Sequence, residues 1–299
     1  MTEELEKKIW PAGIAPITVV MISLNEEHNM HDVLKNLSGW AQEVILVDSY
    51  SSDKTIDIAI SYGIKVVQRP FRGFGDQWNF AINNMKIETP WTMKLDPDER
   101  LTDELKRDIE RKIIDPETQG IFVVRRLWFM GKKLSIKQNI LRLWRSGKCQ
   151  FSDVLVNEQP LVSGYKPLAI GYLEHHDSPD LHHWLNKQNN YSSAEALQLF
   201  LGSSLSAMPR LFGNKTERVM WLKKNFRRIP FKFSILFWYS YIFLGAWKAG
   251  RQGVYWSRLR SDVYRLIDYK ASEMKILGRE YTTKKYTAGS PDPRVDQFK

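Results

Sequence analysis

Four times in about the first hundred residues, a short apolar run ends in polar residues and gives way to a helical pattern. Few folds accommodate that rhythm. The first run, Ile17 to Leu24 (ITVVMISL), is apolar on both alternating faces, which suits a parallel strand covered from both sides. Asn25 then reads as a helix cap with Glu26 and Glu27 in the first turn, and Met30, Val33, Leu34 and Leu37 fall on one helix face. Val44 to Val47 ends at Asp48, and a polar turn leads into a helix with Ile56, Ala59 and Ile60 facing inward and Gly63 as its terminator. Lys65 to Gln68 is a third strand, and the chain bends at Pro70, Gly73 and Gly75 before turning helical from about Asp76. Trp91 to Leu95 is the fourth, followed by Leu101, Leu105, Ile109 and Ile113 at helical spacing. These units predict an α/β fold, an open and mostly parallel sheet flanked by helices.

Ligands of such sheets bind beyond the carboxyl ends of the strands. The polar residues expected there are Ser23, Asn25, Glu26, Asp48, Ser49, Asp96, Asp98 and Glu99. Three of these acids crowd one turn, Asp96-Pro97-Asp98-Glu99, where their mutual repulsion is relieved if a divalent cation binds. Oxygen ligands suit Mg2+ or Mn2+, and an ion held there could grip a diphosphate. Read alone, the turn could equally be a solvated helix start; acids at several strand ends at once favour a site. No G-x-G-x-x-G follows the first strand and no G-x-x-x-x-G-K-[ST] occurs, so the dinucleotide and P-loop readings are disfavoured.

The formal charge of +10 is unevenly placed: residues 205–299 hold 20 Lys or Arg against 7 Asp or Glu, and the remainder is slightly acidic. Within that basic third lies an uncharged aromatic stretch, FSILFWYSYIFLGAW, at 233–247. As a helix it would reach about 22 Å at roughly 1.5 Å per residue, short of a bilayer core of about 30 Å. Trp and Tyr with flanking cations suit a helix lying in the headgroup region of an anionic membrane, the alternative being a core helix. Vesicles of anionic lipid are a better expectation than nucleic acid for this region. The lone Cys149 excludes an internal disulfide, and the charged start shows no signal peptide; both fit a cytoplasmic protein.

The order ITVVMISLNEE, EVILVDSYSSDKT, GFGDQWNFA and WTMKLDPDER resembles family 2 glycosyltransferases with the GT-A fold. FMGKKLS, ILRLWRSG, VLVNEQPLVSG and LEHHDSPDLHHWLNKQNNYSSAEA are similar to the bacterial lipopolysaccharide core β-glucosyltransferase branch. The resemblance covers roughly residues 16 to 280. It implies a nucleotide-sugar-binding catalytic domain at 16–180 and a helical acceptor or membrane-associating region at 181–280, after a lead at 1–15; the polar, Pro- and Gly-bearing composition of 281–299 reads as a loose tail.

That resemblance also implies roles. Ser23, Glu26 and Asp48 would hold the base and ribose of a nucleotide-diphosphate sugar, a UDP-sugar for preference, with Gly73 and Gln77 against the donor. Asp98 with Asp96 would bind Mn2+ or Mg2+ and the diphosphate, Asp96 serving donor binding as well. Glu158 would be the base of an inverting transfer, with Asp153 its nearest rival. His175 would contact acceptor or diphosphate. Arg142 could grip a phosphate or point at solvent, and Arg145 is a weaker candidate for the same task. Two departures from the family pattern are Pro97 between the two aspartates, which restricts the turn, and Asn157 where histidine is common. The implied reaction moves a hexose, glucose for preference, to a lipid-linked glycan such as lipopolysaccharide core at the inner face of the cytoplasmic membrane. The alternatives are a glycolipid-binding protein with a decayed site, or a nucleotidyltransferase, although SLNEEHN is acidic where the latter needs a basic loop.

Overall fold

The computed structural model describes residues 9–152, 159–201, 212, 225 and 229–280. They fall into two compact units, one holding the described residues of 1–128 and 137–179, the other those of 129–136 and 180–288.

In the first unit, β1 (Ala15–Ser23), β2 (Ala41–Asp48), β3 (Lys65–Gln68) and β4 (Trp91–Lys94) run parallel in the order β3-β2-β1-β4. They alternate with α1 (Glu27–Leu37), α2 (Thr55–Ser61) and α3 (Phe74–Asn84), as the periodicity predicts. The inward face of α1 is the expected one, with Met30, Val33, Leu34 and Leu37 all buried. Asn25 differs from its expected role. It sits at φ 56°, Glu26 occupies the cap position, and the Asn25 side chain accepts from the Ser52 N–H at 2.8 Å. Asn is one of the few residues that tolerate that backbone region, and its amide ties the loop after β1 to the loop after β2.

Beyond β4 the sheet becomes mixed. After β5 (Glu99–Leu101) and α4 (Asp103–Lys112) comes a long hairpin, β6 (Gly120–Phe129) and β7 (Lys132–Arg145). Its two-residue turn, Met130-Gly131, has positive φ at both positions, the twist that a tight hairpin demands. β7 lies antiparallel against β4, so the order continues β7-β6-β10-β5, with β8 (Gln150–Phe151) and β9 (Pro160–Leu161) forming a separate pair and β10 (Leu173–His175) completing the row. One face of the sheet is covered by a large apolar cluster that includes Val19, Met21, Leu34, Leu46, Leu105 and Ile109; the other carries Val20, Ile22, Val47, Trp78, Trp144 and Phe151. Burial on both faces explains why the first strands read as unbroken apolar runs.

The second unit contains α5 (Leu181–Leu201), α6 (Lys232–Trp238) and α7 (Arg251–Leu277); a π-helical turn at Tyr239–Phe243 and a 3-10 turn at Ala246–Ala249 lie between α6 and α7. Ala196 of α5 packs with Ile267, Ala271 and Met274 of α7. Lys270 ties the same two helices, its ammonium lying 2.7–2.8 Å from the Asn189 backbone and side-chain oxygens and the Ser192 and Ser193 hydroxyls, four acceptors for three N–H donors. Gly253 allows α7 to begin hard against the 3-10 turn, since a Cβ there would lie 1.8 Å from the Ala246 carbonyl. Among the described residues no helix is long and apolar enough to cross a membrane.

Candidate active site

The carboxyl ends of β1 and β2 meet at a register pair, Ser23 and Asp48. Ser23 donates to Asp48 Oδ1 at 2.8 Å, while Oδ2 accepts from the Ser51 N–H at 2.7 Å and from Gln68 Nε2 at 3.2 Å. Asp48 is fully buried, and its carboxylate joins the ends of three strands and the loop after β2. Gln77, in the first turn of α3, is likewise buried and donates from Nε2 to Ser49 Oγ at 3.2 Å. Gly73 caps that helix at φ 148°, a backbone region that a side chain would disfavour. Glu26 is part-buried at the cap of α1, its carboxylate accepting from Asn29 Nδ2 at 2.8 Å. Ser23, Glu26, Asp48 and Gln77 thus sit at the carboxyl end of the parallel strands, where the α/β pattern requires a ligand.

The Asp-Pro-Asp-Glu turn follows β4. The Asp96 N–H donates to Glu99 Oε2 at 3.1 Å and the Glu99 N–H returns a bond to the Asp96 carbonyl at 2.9 Å. Arg142 reaches across from β7 and donates to Asp96 Oδ2 at 2.7 Å and to Glu99 Oε1. Glu99 and Arg142 are both buried. Burial raises the Glu99 carboxyl above the ordinary range in spite of Arg142. At Asp96 burial pushes the same way, but Arg142 and Lys94 outweigh it and hold that carboxyl low. Lys94 itself is buried at the end of β4, its ammonium 4.3 Å from the Trp78 ring centroid.

β10 pairs antiparallel with β5, setting His175 opposite Glu99. His175 Nε2 lies 3.2 Å from Asp98 Oδ2 and 3.9 Å from Asp177 Oδ1. Burial lowers the imidazole pKa, yet the Asp98 charge and hydrogen bond outweigh it and raise the value above that of a free histidine. Asp98, His175 and Asp177 each offer one ligand atom, all within 4.8 Å of one another. Two carboxylates and an imidazole suit Mn2+ better than Mg2+, which prefers an all-oxygen shell.

The structure therefore groups Asp98 with His175 and Asp177, whereas Asp96, expected as the second ligand of the ion, is turned toward Arg142. Arg142 in turn is engaged by two carboxylates of the protein itself. Arg145 points elsewhere, its guanidinium 4.4 Å from the Trp91 ring and its Nε donating to the Thr118 carbonyl at 3.1 Å. Sequence reasoning missed Asp177, Lys94 and the Glu99–Arg142 pair. The run His175-His176-Asp177 offered the clue to the first, because a carboxylate two residues from an imidazole can join it around one ion. His176 turns away and stacks on Trp128 at 4.8 Å between ring centroids. Glu158, Asp153 and Asn157 lie outside the described residues.

An open sheet of this order, with acids following its first, second and fourth strands and three possible metal ligands beside them, is the α/β arrangement of the GT-A type. Residues 18–165 match the family profile Glycosyl transferase family 2. The matched stretch carries Ser23, Asp48, Asp98 and Arg142. An uncharacterized glycosyltransferase of Rickettsia typhi is 26% identical over 227 residues, covering 70% of this chain and 76% of that protein. One from Rickettsia bellii is 38% identical over 110 residues, covering 37% and 34%. Among solved structures, the mannosyltransferase PcManGT from Pyrobaculum calidifontis, in complex with GDP-Man and Mn2+, superposes with a TM-score of 0.52 at 15% identity, covering 89% of this chain and 91% of that one. That likeness is one of fold.

Proposed function

We propose that the protein transfers a hexose, with inversion, from a nucleotide-diphosphate sugar to a lipid-linked glycan, and that Mn2+ or Mg2+ assists. The observation that carries this reading is the grouping of Asp98, His175 and Asp177 beside the strand ends that hold Ser23 and Asp48. The Pyrobaculum enzyme of similar fold was captured with a nucleotide sugar and Mn2+, which fits the same pairing of donor and ion.

Asp98, His175 and Asp177 would hold the cation, whose positive charge, when bound, stabilises the departing diphosphate. Ser23, Glu26 and Asp48 are assigned the base and ribose, with Gly73 and Gln77 against the donor. Asp96, held low by Arg142 and Lys94, stays an anionic acceptor for a donor hydroxyl. Glu158 is assigned the proton of the attacking acceptor hydroxyl on its motif alone. As the new bond to the anomeric carbon forms, the old carbon–oxygen bond breaks and its electron pair leaves on the diphosphate. Glucose and a UDP donor are the preferred identities, and lipopolysaccharide core the preferred acceptor, by resemblance.

The second unit supports a site of action at the inner face of an anionic membrane. Ile235, Trp238, Tyr239, Ile242, Phe243 and Trp247 are exposed between residues 235 and 247, with exposed Lys248 and Arg251 following. Aromatic side chains beside cations on a helix too short to span fit the headgroup layer.

The test is release of nucleoside diphosphate. The protein is incubated with UDP-glucose or GDP-mannose, with Mn2+ or with EDTA. Slow hydrolysis of one donor that requires the metal is expected. No release from either, with no stabilisation of the protein by any nucleotide sugar in a thermal-shift screen, would overturn the reading.

A further inference from the structure

Counting charges at the site leaves a need that Arg142 does not meet. The cation would be matched by Asp98 and Asp177, and Arg142 is shared between Asp96 and Glu99. A diphosphate that gains negative charge as it departs requires another cation near the metal ligands. Arg125 meets the requirement. In the β6–β10 register it sits opposite Leu173, and Leu127 sits opposite His175, so Arg125 shares the sheet face that carries His175 and Glu99. The side chain is 28% exposed, against 5% for Arg142. It donates to a neutral amide oxygen, Gln138 Oε1, at 2.8 Å, and stands 3.7 Å from Glu99 Oε1, beyond direct hydrogen-bond reach.

We infer that Arg125 binds the phosphoryl oxygens of the donor's leaving diphosphate, completing with the metal ligands the charge that the departing group meets. The inference rests on the donor reading above and adds a residue to it. Gln138 lends itself to this role because a neutral partner orients the guanidinium, and the longer ion pair with Glu99 occupies none of its N–H groups in a direct hydrogen bond, leaving donors for phosphate. No bond of the protein changes in the reaction; Arg125 supplies charge and hydrogen bonds only.

Inorganic pyrophosphate with Mn2+ tests this without knowledge of the nucleobase. Calorimetry on the full chain would compare wild type with Arg125→Gln and Arg125→Lys, titrating Mn2+ alone and then pyrophosphate into the Mn2+-loaded protein. The expected result for Arg125→Gln is Mn2+ binding that is not weakened and pyrophosphate binding about 10- to 100-fold weaker, the range for a lost charge-assisted hydrogen bond. Arg125→Lys, which keeps the charge, should recover part of it. In parallel, acceptor-free hydrolysis of the nucleotide sugar should slow in Arg125→Gln. Unchanged pyrophosphate binding and hydrolysis, including the case where only the Michaelis constant for an anionic acceptor rises, would overturn the assignment while leaving the enzyme class intact. A wild-type protein that binds neither Mn2+ nor pyrophosphate would overturn both together.

Discussion

His175 Nε2 stands 3.2 Å from Asp98 Oδ2, although the two residues are 77 positions apart. The contact exists because β10 pairs with β5, which begins one residue after Asp98. In the proposed reading, that contact makes Asp98 and His175 the core of the candidate metal site. Asp98→Ala and His175→Ala should each abolish saturable Mn2+ binding by calorimetry, whereas Asp96→Asn should leave it measurable. Loss of metal in Asp96→Asn with retention in His175→Ala would reverse the ligand assignment. The sign of the pH effect follows from the raised histidine. The ligating form is neutral, so manganese must displace a proton held more tightly than usual. Affinity should therefore increase as pH rises through the His175 titration, with proton release on binding.

Arg142 and Glu99 form a buried ion pair at the turn that presents Asp98. Removing Arg142 leaves Asp96 without its guanidinium and Glu99 with only the more distant Arg125, a change of about 3–5 kcal/mol in comparable sites. Arg142→Met should lower the unfolding midpoint sharply. Glu99→Gln should be milder, because burial already raises the Glu99 carboxyl and an amide preserves an acceptor for Arg142 and for the Asp96 N–H. Equal destabilisation by the two variants, measured in urea, would show that the carboxylate charge rather than its hydrogen bonds maintains the turn.

Trp238 and Trp247 are each about half exposed, at 53% and 52%. The double replacement Trp238→Ala, Trp247→Ala should weaken binding to vesicles of anionic lipid about tenfold or more, on the scale of one apolar side chain leaving the interface. Raising salt should weaken wild-type binding as well, because the adjacent Lys248 and Arg251 act by screened attraction. Co-sedimentation that is indifferent to both changes would remove the membrane from the picture.

Much of the first unit was legible beforehand. Strand and helix periods differ, so apolar spacing alone separates ITVVMISL from the helix that follows, and a strand's carboxyl end is the only place its trailing acid can go. The hairpin β6–β7 and its antiparallel docking on β4 were not legible, because pairing partners far apart in sequence leave no mark on local periodicity. Arg142 shows the consequence. As one residue of an alternating strand it could have faced phosphate or solvent, and only the position of β7 beside β4 aims it at Asp96 and Glu99.

By itself, then, the order of residues determined an open α/β sheet and the end of that sheet where acids gather, since both depend on neighbours within a few positions. Tertiary structure decided which acids work together. It drew His175 and Asp177 to Asp98, gave Asp96 to Arg142, and set Arg125 on the sheet face that carries His175. The reason is physical: ionic and metal-ligand geometry acts over a few ångströms, and folding alone brings groups dozens of residues apart to that distance.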